Sequence, residues 1–134
     1  MFQAVCSLLV AAVLATFALA SPTGRALPSG NVGCGSHTYT VNQVVAAVNG
    51  GVAHINNPIG SDSYPHTFRN DEGLRLFCSG SSFLEYPILS GGAAYAGGSP
   101  GADRVVFNTA GTYCAVITHT GAASTNGFVS CAGD

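Results

Sequence analysis

The stretch "TVNQVVAAVNGGVAHINNP", Thr40 to Pro58, is where the chain changes its periodicity. Thr40 and Gln43 form a T-x-x-Q pair, in which each side chain satisfies a backbone N–H that the first helical turn leaves unpaired. Val41, Val44, Val45, Val48, Val52 and Ile55 then recur at helical spacing. Gly50 and Gly51 weaken the middle of such a helix by about 1 kcal/mol each relative to alanine, and Pro58 stops it. The pattern predicts a helix from Val41 to about Asn49, extending as far as Asn56. Beyond Pro58 the apolar spacing becomes short runs punctuated by glycine. Strands are expected at Pro65–Phe68, Leu74–Phe77, Phe83–Leu89, Arg104–Asn108, Tyr113–Thr120 and Phe128–Cys131. Two glycine-rich connections, "SGGAAYAGGSPGAD" and "TGAASTNG", separate the later ones. One helix followed by consecutive strands is the α+β pattern, here a helix packed on a central twisted antiparallel sheet.

The 134 residues suffice for one domain. Residues 1–20 end a mostly apolar run, Leu8 to Leu19, with the small residues Ala18 and Ala20, although no Lys or Arg precedes it. They read as a secretory signal peptide, too short in its apolar part for a membrane span. Residues 21–33, "SPTGRALPSGNVG", read as a flexible leader or pro-segment, and residues 34–134 as the folded domain. Removing the signal removes Cys6 and leaves Cys34, Cys78, Cys114 and Cys131. In an oxidising compartment these make two disulfides, with three connectivities open. Their wide spacing gives no zinc or CxxC redox signature. The formal net charge of −2, without a single lysine, gives no general attraction to nucleic acid. Work on a polyanion therefore falls to a small local site.

Strand period sorts the side chains. Tyr113, Ala115, Ile117 and His119 share one face of their strand, and Cys114, Val116 and Thr118 the other, on the core side. Phe83, Glu85 and Pro87 share a face of theirs. One face of the sheet thus takes the valine stripe of the helix, and the other lines a cleft. Four polar groups stand among apolar neighbours: His66, Glu85, Arg104 and His119. Each alone has an ordinary reading as a turn, strand-end or solvated residue. Together they are a carboxylate, two imidazoles and a guanidinium on adjacent strands, which is a general-base, general-acid and anion-stabilising set with no need of a metal. His37 and His54 lack ligand-spaced partners and read as surface residues.

The segments "SYPHTFRNDEG", "EYPILSGG", "YAGGSPGADRVVFN", "ITHTGA" and "FVSC" resemble the small secreted fungal guanyl-specific ribonucleases of the T-one type, in the family's order and over about Cys34 to Cys131. The resemblance implies cleavage of single-stranded RNA 3′ of guanosine, through a 2′,3′-cyclic phosphate that is then hydrolysed. It implies Glu85 as the base for the ribose 2′-hydroxyl, His119 as the acid for the departing 5′-oxygen, His66 assisting the base, and Arg104 stabilising charge on phosphorus. Tyr64 would hydrogen-bond a phosphate oxygen, and Phe128 would form an apolar wall beside it. The guanine would be held by the loop Phe68, Arg69, Asn70, Asp71 and Glu72, with Asn126. Glu72 would accept from the base edge, and Phe68 would offer a stacking face. Arg69 and Asp71 depart from the family's residues at their positions. The resemblance also implies the pair Cys34–Cys131, which leaves Cys78 to pair with Cys114 by elimination since the family's second bridge is missing here, a cis Tyr64–Pro65 bond, no cofactor, and an extracellular monomer free of the membrane once the signal is removed. Its alternative is a secreted relative that binds RNA without turning it over.

Overall fold

The computed structural model describes residues 27–134. The expected signal peptide, and residues 21–26 of the expected leader, lie outside them. The chain runs β1 (Val32–Cys34), β2 (His37–Tyr39), α1 (Val41–Ala53), β3 (His66–Phe68), β4 (Phe83–Pro87), β5 (Asp103–Asn108), β6 (Tyr113–Thr118) and β7 (Val129–Ser130). β3 to β7 form one five-stranded antiparallel sheet in sequence order. β1 and β2 form a separate hairpin.

The helix begins as its capping residues dictate. Gln43 N donates to Thr40 Oγ1 at 3.2 Å, and Thr40 N donates to Gln43 Oε1 at 2.8 Å. Val44, Val48 and Gly51 form its buried stripe. Gly51 is a close approach and not merely a weak point. A Cβ built there would meet Phe107 Cε1 at 2.5 Å and Tyr86 Cβ at 3.0 Å. Glycine lets α1 sit down on β4 and β5. Gly51→Ala is therefore expected to destabilise by about 1–3 kcal/mol through overpacking, despite alanine's better helix propensity. Urea unfolding measures this, and a neutral or stabilising result would refute the close-packing account.

The hairpin corrects the expected boundary at Cys34. Val32 has no exposed surface and pairs with Tyr39, and Leu27 packs on the same core. Ordered chain thus begins ahead of Cys34. Strands of three residues around a Gly-Ser turn have too few positions to display a period. Gly33 exchanges backbone bonds of 2.8 and 2.7 Å with Ala132, and the Cys34–Cys131 disulfide closes beside them.

The sheet has the two expected faces. Toward α1 lie Tyr86, Val105, Phe107 and Val116; on the other face lie Phe68, Val106, Ala115, Ile117 and Phe128. The alternation in β6 fails at one point. Val106 pairs with Ala115 but Phe107 pairs with Tyr113, so Cys114 is an extra residue without a cross-strand partner. This bulge moves Tyr113 to the helix face and Cys114 to the opposite one, where the pattern alone had them exchanged. The Cys78–Cys114 disulfide forms as expected, but away from the helix.

Leu74–Phe77 is not a strand. Its side chains do alternate, with Leu74 and Leu76 against one cluster and Phe77 against the other. Its backbone is spoken for differently. Asn70 holds both the N–H and the carbonyl of Leu74, and Phe77 N donates to Cys114 O. No ladder forms.

Candidate active site

Cross-strand register assembles the site. His66 on β3 stands opposite Glu85 on β4, and Glu85 stands opposite Val106 on β5. Arg104, two residues before Val106, therefore shares the face of Glu85. It also pairs with Ile117 on β6, two residues before His119. The structure thus brings His66, Glu85, Arg104 and His119 to the side of the sheet that α1 leaves uncovered.

His66 Nδ1 donates to the carbonyl of Asp62 at 2.9 Å, and Nε2 meets Glu85 Oε1 at 2.6 Å. The hydrogen bond to Glu85 raises the His66 pKa above its ordinary value, and Asp62 adds to this while burial opposes it. The contact thereby favours the charged form of the His66 ring. Because the folded pKa lies above the unfolded one, the stabilisation is full below the unfolded histidine pKa of about 6.5 and is lost as pH rises through the folded value. Glu85→Gln should lower the His66 pKa in an NMR titration. An unchanged midpoint would mean that Glu85 is not what holds the proton.

Arg104 is 3% exposed and tightly held. Its Nη1 donates to the carbonyls of Gly101 (2.8 Å), Asp103 (2.9 Å) and Pro100 (3.3 Å), and Nη2 donates to Tyr64 OH at 3.0 Å. Tyr64 stacks on His66 with ring centroids 4.5 Å apart. Burial raises the Tyr64 pKa, with Arg104 pulling the other way. The phenol keeps its proton and, accepting from Arg104, has that proton to give. The Tyr64–Pro65 bond is cis, as expected. Two buried polar atoms of the cluster have no hydrogen-bond partner, Glu85 Oε2 and Arg104 Nε, and they lie 3.8 Å apart. Both atoms face each other across the cluster, where a carboxylate oxygen can accept and a guanidinium N–H can donate.

His119 follows β6. Its Nδ1 donates to the carbonyl of Gly127 at 2.7 Å, and its ring stacks on Phe128 at 3.9 Å. A carbonyl only accepts, so Nδ1 carries the proton, and Nε2 is the nitrogen left for chemistry.

A cavity of about 190 Å³ adjoins these groups, lined by the loop from Phe68 to Glu72 together with Thr67, Glu85, Asn126 and Phe128. All six residues expected around a base are here, and Glu85 joins their cavity to the cluster of His66 and Arg104. Asn70 adopts the left-handed conformation at φ 55° and spends its side chain closing the loop on Leu74. Asparagine tolerates that region better than most residues. Glu72 Oε1 accepts from Phe128 N at 3.0 Å, which ties the loop to the wall. Phe68 is 5% exposed and lies edge-on to Phe128. It is a wall of the cavity and not the open stacking face expected for it. A second, more apolar cavity of about 310 Å³ lies between α1 and the Leu89–Tyr95 turn, on the other side of the sheet.

The residue with no signal in the sequence is Asp103. It is 2% exposed, and it accepts from Tyr39 OH at 2.5 Å and from Thr118 Oγ1 at 2.7 Å. His37 Nδ1 lies 2.8 Å from the same carboxylate, so His37 is more than the surface residue it resembles, although its ring stays half exposed. Burial, then the bond to Asp103, pushes the Tyr39 phenol well above its ordinary range. Thr118 Oγ1 in turn accepts from Thr120 N, and His119 N donates to Ala102 O, so this network fixes the turn that carries His119. Among the described residues, no group of three His, Cys, Asp or Glu is placed to hold a metal ion, and no helix is long and apolar enough to cross a membrane.

A helix on one side of an antiparallel sheet, with a carboxylate, two imidazoles and a guanidinium gathered on the other, defines a small α+β protein with an acid–base side-chain cluster. The chain belongs to the ribonuclease family, whose pattern it matches over residues 27–132. It is 45% identical to guanyl-specific ribonuclease C2 of Aspergillus clavatus, across 94% of this chain and 96% of that one. It is 46% identical to guanyl-specific ribonuclease F1 of Fusarium fujikuroi, across 98% and 96%. Guanyl-specific ribonuclease T1 of Aspergillus oryzae shares 47% identity over 82% of this chain and 88% of its own. Among solved structures, the ribonuclease He1 of Hericium erinaceus superposes with a TM-score of 0.54 at 36% identity, covering 76% of this chain and 98% of its own.

Proposed function

We propose that the protein is an extracellular endoribonuclease that cleaves single-stranded RNA 3′ of guanosine. One observation carries the reading: Glu85 belongs both to the catalytic cluster and to the wall of the base cavity. A base bound there puts its own ribose against the carboxylate. Glu85 Oε2, the unpartnered oxygen, takes the proton of the 2′-hydroxyl while the 2′-oxygen attacks phosphorus. The bond from phosphorus to the 5′-oxygen breaks, and His119, acting in its doubly protonated form, gives that oxygen the proton on Nε2. The 2′,3′-cyclic phosphate then adds water with the two roles reversed. Arg104 Nε and the Tyr64 hydroxyl face the charge that grows on the phosphoryl oxygens, already oriented by their other bonds. His66, bonded to Glu85 through Nε2, steadies the carboxylate. Glu72 has one oxygen left for the edge of guanine, a donor-rich purine. The extracellular setting rests on the apolar run near the N-terminus and on a relative, 48% identical, described as an extracellular guanyl-specific ribonuclease in Gibberella baccata.

The test is cleavage of GpN, ApN, UpN and CpN dinucleotides by the purified mature protein. GpN is expected to be cut fastest, with a bell-shaped pH profile set by a carboxylate and an imidazole. Equal rates on all four would remove the guanine assignment, and no cleavage of any would favour a binding protein.

A further inference from the structure

Three arginines fall among the described residues. Arg104 is clamped in the site, and Arg75 lies over the Phe77 ring at 5.0 Å. Arg69 is exposed and makes no hydrogen bond, ion pair or ring contact among the described residues. Beside it opens a cavity of about 380 Å³ whose polar lining is Thr67, Arg69, Ser81, Ser82 and Thr109. That lining is four hydroxyls and one guanidinium, with no carboxylate. Through Ser81, Ser82 and Thr109 it continues into a shallower opening of about 360 Å³, again without an acid. In a chain of net charge −2, an acid-free track with a cation at its head suits a phosphodiester. Hydroxyls and guanidinium donate to phosphate oxygens, while any nearby carboxylate would repel them.

The position gives the track a direction. The cavity shares Thr67, Phe68 and Arg69 with the base cavity but includes none of His66, Glu85, Arg104 or His119. The phosphate on the 3′ side of the bound nucleoside is at the catalytic cluster. The strand on its 5′ side has to leave by another edge, and the edge at Thr67–Arg69 is the one built for it. We infer that Arg69 and the hydroxyls of Thr67, Ser81, Ser82 and Thr109 form a subsite for the phosphodiester and nucleotide 5′ of the cleaved residue. Arg69 then serves the incoming backbone more than the guanine. This rests on the proposed function, so the experiment separates the two.

The measurement is kcat/KM for GpU and for UpGpU cleaved after G, in the wild type and in Arg69→Gln and Thr109→Glu. The wild type is expected to prefer UpGpU by about tenfold, the size of one charge-assisted contact. Thr109→Glu should leave GpU unchanged and bring the ratio to one or below. Arg69→Gln should also collapse the ratio, and should flatten the dependence of log kcat/KM for UpGpU on log salt by about 0.7, one released counterion on a single strand. A wild-type ratio near one, or a ratio that survives both substitutions, overturns the subsite while leaving guanosine cleavage standing. A failure to cleave GpU overturns the function, and the subsite with it.

Discussion

His119→Ala is expected to lower kcat on GpN by about 10²–10⁴-fold, the usual contribution of a positioned general acid. KM should change little, because His119 is not part of the base cavity. The Gly127 carbonyl fixes Nδ1 as a donor and leaves Nε2 as the nitrogen to serve a leaving oxygen. A leaving group that needs no proton, such as a guanosine 3′-(p-nitrophenyl phosphate), should recover most of the lost rate. The same substrate should not rescue Glu85→Gln, since the 2′-hydroxyl still needs its base. Rescue of both, or of neither, would show that the acid and base have been misassigned. Circular dichroism must show the fold intact, because His119 also stacks on Phe128. His119→Asn is a second variant with less packing loss.

The paired change Cys34→Ser with Cys131→Ser is expected to cost about 4–5 kcal/mol of stability, the loop-entropy value for a closure near 100 residues. The bridge spans a sequence separation of 97. That is a large share of the 5–15 kcal/mol typical of a domain. The loss acts mainly through the unfolded chain, so activity at low temperature should survive it. The Cys78–Cys114 pair spans only 36 residues, and its loss should cost about 1 kcal/mol less because the entropy grows with the logarithm of the loop. Urea unfolding of both double variants checks the order. A reversed order would mean that the two disulfides differ mainly through native-state strain.

What the sequence displayed plainly was what lies in local pattern. Thr40 and Gln43 announce the helix, and β4 to β6 are long enough to show alternation. Glu85 and Arg104 are conspicuous because charge is scarce and their neighbours are apolar. Other features were hidden for physical reasons. The hairpin strands are too short to carry a period. The alternation of Leu74–Phe77 is real, but Asn70 diverts the backbone from any ladder. Cys114 changes face through a single unpaired residue that composition cannot betray. Asp103 sits at the end of a glycine-rich connection and reads as a turn residue, because its partners Tyr39, His37 and Thr118 come from strands far away in the chain.

Those partners give Asp103 a consequence for assembly. A carboxylate enclosed under the sheet is tolerable only when its donors have arrived, and removing partners from such a group costs several kcal/mol. The donors come from β2 and β6, the group itself from β5. A partly assembled molecule with the hairpin undocked would strand a bare negative charge, so such species are penalised relative to both the finished and the unfolded chain. Asp103 thereby couples the docking of β2 to the edge of β5 and β6, and amide exchange at Tyr39 and at Thr118 is expected to open together, only in the global event. Proteases would then meet either a complete fold or none.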